Sequence, residues 1–183
     1  MDISQSHSSQ WLNEKLQDYD SSSPQISDPV FDAVRNFGII WNMFEKEASS
    51  ILKSRGEIIN SEEQITLSIA EEFLPRENVL NEVYNFFRPR YVYNGEVNNY
   101  FDILWPNDRS KRSRDLIVNL LKKNDVLPFE KNTVCAMICL RLRCNLFHGV
   151  KELWTLRVQS QLFNIADYYL EAMIDRMLNP EAQ

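Results

Sequence analysis

Seven consecutive apolar residues, Val134, Cys135, Ala136, Met137, Ile138, Cys139 and Leu140, run directly into Arg141, Arg143, Asn145 and His148 before the chain reaches Gly149. At 3.6 residues per turn, seven apolar positions cover every side of a helix, so this segment reads as a helix packed on all faces. The rest of the fold must surround it. Its end carries two arginines and a histidine, and a guanidinium is costly to desolvate unless it is paired. The stretch from Val134 to Lys151 is therefore where the fold and any chemistry meet.

Composition narrows the possibilities. Four glycines and seven prolines in 183 residues leave long segments between breakers, which favours helices over many short strands. The length suits a single domain with a good core. An apolar run of seven is far short of the roughly 20 residues needed to span a bilayer, so no membrane association is expected. The first 28 residues are rich in Ser, Gln and Asp and have no apolar core of a secretory signal, which predicts a cytoplasmic location. The three cysteines lie between Cys135 and Cys144 in apolar surroundings, an odd count that argues against a disulfide framework.

Charge is unevenly spread. Residues 1–87 carry six basic and fifteen acidic groups, residues 88–151 twelve and six, and the remainder two and five. The basic middle segment contains the apolar helix. A basic patch on an acidic protein fits a site for phosphates or nucleic acid, although a solvated charged face explains it as well.

Read in order, residues 1–27 are expected to form a flexible arm, with Trp11 and Leu12 its main apolar groups, followed by one domain over residues 28–179. Asp28 is expected to cap, and Pro29 to open, a helix to about Ser54 with a stripe of Phe31, Val34, Phe37, Trp41, Phe44, Ala48, Ile51 and Leu52. Glu45 lies four residues after Trp41 and three before Ala48, near that buried face, as an ion-pair partner or part of a site. Ser61 with Glu62, Glu63 and Gln64 is a capping-box start for a helix to about Leu74. A third helix runs from Pro75 to a stop at Pro89. Between Arg90 and Trp105 the flanks of Asn94-Gly95 allow a small hairpin, and a helix over Val97–Leu104 fits equally well. Asn107 or Asp108 caps a basic helix to about Asn124, with Leu116, Ile117, Leu120 and Leu121 inward. Its start carries Arg109, Lys111, Arg112 and Arg114, where cations oppose the helix dipole. Pro128 opens the central helix, and the last runs from about Glu152 to Leu178.

On an ideal helix Arg141, Asn145 and His148 fall within roughly 60° of one another, whereas Arg143 lies about 140° from His148. A straight helix cannot aim Arg143 and His148 at one point. A frayed turn before Gly149, or a second copy across a two-fold axis, resolves the conflict.

The segment Arg143, Cys144, Asn145, Leu146, Phe147, His148, Gly149 resembles the R-x4-H-G signature of the HEPN superfamily, the higher eukaryote and prokaryote nucleotide-binding domains. The stretch Ile40, Trp41, Asn42, Met43, Phe44, Glu45 is similar to that family's first core helix. The resemblance implies an all-α, up-and-down helical bundle, here with extra helices, that forms a homodimer and in many members cuts RNA without a metal. Such members occur in toxin–antitoxin and antiviral systems, which implies a possible inhibitory antitoxin or regulatory protein partner. It further implies that His148 acts as general acid or base and Arg143 holds the scissile phosphate, leaving a 2′,3′-cyclic phosphate, with Asn145, Arg141 and Glu45 in support. Arg143 matches the signature register and Arg141 is the second choice. Arg109, Lys111, Arg112, Arg114 and Lys151 are expected to contact RNA. Cys144 departs from the polar residue that often follows the motif arginine. No cofactor or metal is expected, since Cys144 and His148 lack further ligands at a suitable spacing.

Three plainer readings stand beside this one. His148 also reads as a cap on the helix C-terminus, favourable against the dipole. Glu45 also reads as a counter-ion for Arg141 or Arg143. The whole also reads as a non-catalytic module of the same fold that binds a nucleotide or a protein.

Overall fold

The computed structural model describes residues 13–14, 27–106, 110–147 and 159–181, the side chain of Phe147 excepted. Of the expected N-terminal arm, only residues 13–14, which are helical, and Ser27 fall within this set. The protein is an all-α helical bundle whose described strands form one two-residue ladder.

Helix α1 (Asp28–Ser54) starts behind Ser27, which has extended backbone but makes no side-chain cap bond. Asp28, expected as the cap, is instead the first helical residue, and Pro29 sits in the first turn where a missing N–H costs nothing. The buried line is Val30, Ala33, Phe37, Trp41, Phe44, Ala48 and Leu52; Phe31, Val34 and Ile51 flank it half-buried. Helix α2 (Glu62–Glu72) begins as its capping residues dictate: the Ser61 hydroxyl accepts from Gln64 N at 3.1 Å, and the Gln64 side chain accepts from Asn60 N at 3.0 Å.

Helix α3 (Glu77–Tyr91) passes through Pro89, where the sequence predicts a stop. Tertiary anchoring overrides the proline. Arg88 donates to the carbonyls of Leu121 at 3.1 Å and Lys123 at 3.3 Å, and Tyr91 is buried edge-on to Phe101, ring centroids 6.0 Å apart. Both readings of the next segment occur, one after the other. Strands β1 (Val92–Tyr93) and β2 (Glu96–Val97) pair antiparallel around Asn94 and Gly95, whose φ values of 51° and 78° are those of the tight hairpin turn that asparagine and glycine permit. Helix α4 (Asn99–Leu104) follows, capped by the Asn98 side chain, which accepts from Tyr100 N at 2.9 Å.

Helix α5 (Lys111–Lys122) is entered through Ser110 in a left-handed conformation; the expected caps Asn107 and Asp108 lie outside the described residues. Ser113, Ile117 and Leu121 form its buried line, and Leu120 is half-buried. Leu116, expected inward, is 42% exposed, because α5 lies on the surface and a line at spacing four leaves the adjoining positions outside.

Helix α6 (Pro128–Phe147) is the centre of the bundle, touching α2, α3, α4, α5 and α7 (Ser160–Leu178). Every residue from Asn132 to Leu142 is buried. Asn132 is satisfied inside the core: its amide donates to Ala70 O at 2.7 Å and Phe73 O at 2.8 Å, and its oxygen accepts from Tyr169 Oη at 2.8 Å. One side chain thereby closes the last carbonyls of α2 and ties α6 to α7. The expected start of α7 at Glu152, and Leu156 with it, lie outside the described residues. Helix α7 packs along α1, with Phe37 and Phe163 ring centroids 5.2 Å apart.

Candidate active site

The end of α6 sends its polar residues to two different sides of the bundle, as the helical period requires. Arg141 and Asn145, four residues apart, share the side that faces α4. Arg141 is only 7% exposed, and its guanidinium carbon lies 5.3 Å from the centroid of the fully buried Trp105 ring. Asn145 is buried and donates to Leu104 O at 2.8 Å, closing the carbonyl just before Trp105. The Nε and Nη2 of Arg141 and the Oδ1 of Asn145 are buried without a hydrogen-bond partner. Among the described residues no carboxylate lies within ion-pair distance of Arg141. A planar, permanently charged fork with open donors against an aromatic face is suited to a phosphate or carboxylate.

Trp105 is itself held from the other side. Arg114 donates from Nε to Trp105 O at 3.0 Å and from Nη2 to Asp102 at 2.5 Å, and stacks over Phe101 at 5.4 Å. Of the basic residues expected to meet RNA at this helix start, Arg114 is thus committed to fixing the Trp105 loop. Lys111 and Arg112 are exposed, and Arg109 lies outside the described residues.

Arg143 points the other way, toward α1 and α2. It donates to Glu62 at 2.9 Å and lies 3.9 Å from Glu45, whose carboxylate also accepts from Trp41 Nε1 at 3.1 Å. Glu45 is therefore a counter-ion of Arg143, one of the two roles its position predicts. Glu62 is the nearer partner and was visible in the sequence only as a capping-box acid. Cys144, between the two sides, is half-buried; desolvation pushes its thiol upward, so it stays protonated at neutral pH. Burial does the same to Cys135 and Cys139 in the core. His148, Gly149 and Lys151 lie outside the described residues.

A cavity of about 790 Å³ between α2, α5 and α6 is lined by neither Arg141 nor Arg143. Its walls carry Glu63, Glu71 and Glu130 against a single Arg112, the wrong balance for a phosphate. Among the described residues, no helix is long and apolar enough to cross a membrane.

No protein-family model, curated protein or solved structure matches the chain.

Proposed function

We propose that this chain is a metal-independent endoribonuclease of HEPN type that works as a cytoplasmic homodimer. The observation that carries the reading is Arg141, a buried guanidinium with unpartnered donors on the helix in which the R-x4-H-G signature begins. A buried cation without a partner is destabilising, and a fold keeps one where an anion is to be bound. On an ideal helix continued past Phe147, position 148 would fall about 20° from Arg141 and about 140° from Arg143. On that spacing His148 works with Arg141 within one protomer, while Arg143 reaches a histidine through a frayed turn or across a two-fold axis.

The chemistry is transesterification followed by release. The ribose 2′-oxygen attacks phosphorus, the bond to the 5′-oxygen breaks, and a 2′,3′-cyclic phosphate and a 5′-hydroxyl result. His148 takes the 2′-proton or gives one to the leaving 5′-oxygen, the two roles that imidazole side chains commonly serve in such a step. Arg141 stabilises the charge that builds on the phosphoryl oxygens, and Arg143 supports it from its Glu62 and Glu45 cradle. Asn145, through Leu104 O, and Arg114, through Trp105 O, fix the segment that carries the Trp105 ring against Arg141. Lys111, Arg112, Arg109 and Lys151 supply phosphate contacts along the strand. A toxin–antitoxin or antiviral setting, with an inhibitory antitoxin or regulatory protein partner, fits such an enzyme.

The second reading, a non-catalytic module that binds a nucleotide or a protein, is favoured by the neutralisation of Arg143. His148→Ala separates the two: the ribonuclease loses RNA cleavage while keeping its fold and dimer, whereas a capping histidine costs stability and no cleavage is present to lose.

A further inference from the structure

The end of α3, the β1–β2 hairpin and the start of α4 enclose a cleft of about 560 Å³ outside the site already described. Tyr93 and Tyr100, both lining it, are 74% and 63% exposed, so both rings stand open to solvent. Arg90, also in the wall, lies with its guanidinium carbon 5.7 Å from the Tyr100 ring centroid. Asn99 and Gln161 add exposed amides, and among the described residues no carboxylate lines the cleft. Glu96, opposite Tyr93 in the ladder, is neutralised by Lys122 at 2.6 Å. Open aromatic faces, a cation and amides without acidic groups match the π-faces, phosphates and edges of unpaired nucleobases.

We propose that this cleft binds a single RNA strand, with Tyr93 and Tyr100 stacking bases and Arg90 contacting the backbone. The proposal rests on the ribonuclease reading and adds how that enzyme holds its substrate. Tyr100 stands near the start of α4, and Trp105, which packs against Arg141, just past its end. A base-paired substrate offers no free faces to the tyrosines. The enzyme thereby selects loops and single strands.

The test uses wild-type protein and a fluorescein-labelled oligonucleotide bearing 2′-O-methyl groups, which cannot be cleaved by 2′-oxygen attack. Anisotropy is measured for the single strand and for the same strand paired to its complement. Tyr93→Ala and Tyr100→Ala should each weaken single-strand binding by about ten-fold or more, with Tyr→Phe at either position retaining it, and duplex binding should be weaker and unmoved. Near-ultraviolet and far-ultraviolet circular dichroism establish that the variants are folded. Single-strand binding unchanged in both alanine variants overturns the cleft while leaving the ribonuclease reading intact. Cleavage of unmodified RNA without binding of the methylated strand does the same. Neither binding nor cleavage of any RNA by folded wild-type protein overturns both.

Discussion

Arg141 lies over the Trp105 ring, 5.3 Å from guanidinium carbon to ring centroid, with its Nε and Nη2 buried and unpartnered. A guanidinium placed only for stability would have an acceptor there. Replacing Arg141 with Met keeps a long apolar contact with the ring and removes the desolvated charge. Stability should then hold or rise by about 1 kcal/mol, while RNA cleavage falls by about 100-fold or more. Thermal denaturation beside a cleavage assay measures both; a loss of stability with cleavage intact would make Arg141 structural.

Arg143 and Glu62 are expected to behave as an ordinary partly exposed pair. A double-mutant cycle with Arg143→Ala and Glu62→Ala should give a coupling of about 1 kcal/mol or less. Glu62→Gln should leave cleavage within a few-fold of wild type. If Glu62→Gln abolishes cleavage without unfolding the protein, Glu62 takes part in proton transfer and belongs among the catalytic residues.

Much of this arrangement was legible in the sequence, and the limits have physical causes. The apolar run fixed α6 as the buried centre, and the stripe through Phe37, Trp41 and Phe44 defined the inner face of α1, because each depends only on local periodicity. Helical spacing likewise put Arg141 and Asn145 on one face and Arg143 off it, as their partners show. Trp105 under Arg141 could not be read, since the two are 36 residues apart and no spacing links them. The same holds for Arg114, whose position at a helix start suggested phosphate binding but whose guanidinium is claimed by Trp105 O and Asp102. Pro89 misled because its penalty is local and the burial of Tyr91 that offsets it is tertiary.

Asn132 should be among the most sensitive polar positions. Asn132→Ala strands the carbonyls of Ala70 and Phe73 in the core and leaves the Tyr169 hydroxyl only its longer bond to Asn132 O at 3.2 Å; it should cost about 3 kcal/mol, against about 1 kcal/mol for Tyr169→Phe. Urea denaturation of the two variants checks the ranking. Equal effects would mean that the α6–α7 bond, not closure of α2, dominates.

Asp167 on α7 gives the fold a pH dependence. It is 8% exposed with Oδ1 unpartnered, and burial first, then the nearby Glu171, pushes its carboxyl up to about 7. The folded state therefore holds a proton that the unfolded chain releases near pH 4. Stability is full below that value and falls as pH rises from about 4 to about 7, by roughly 4 kcal/mol in all. Asp167→Asn should flatten this slope between pH 4.5 and 7.5 in thermal denaturation. An unchanged slope in that variant would assign the dependence to other groups.

The central claim is that the α6 site breaks RNA by 2′-oxygen attack with Arg141 and His148. Mass spectrometry of fragments from mixed RNA incubated with the purified protein in EDTA tests it most directly, with Arg141→Met and His148→Ala alongside. The account predicts fragments ending in 2′,3′-cyclic phosphate from the wild-type protein and none above background from either variant. Intact RNA with a folded wild-type dimer, or fragments ending in 3′-hydroxyl, would contradict it.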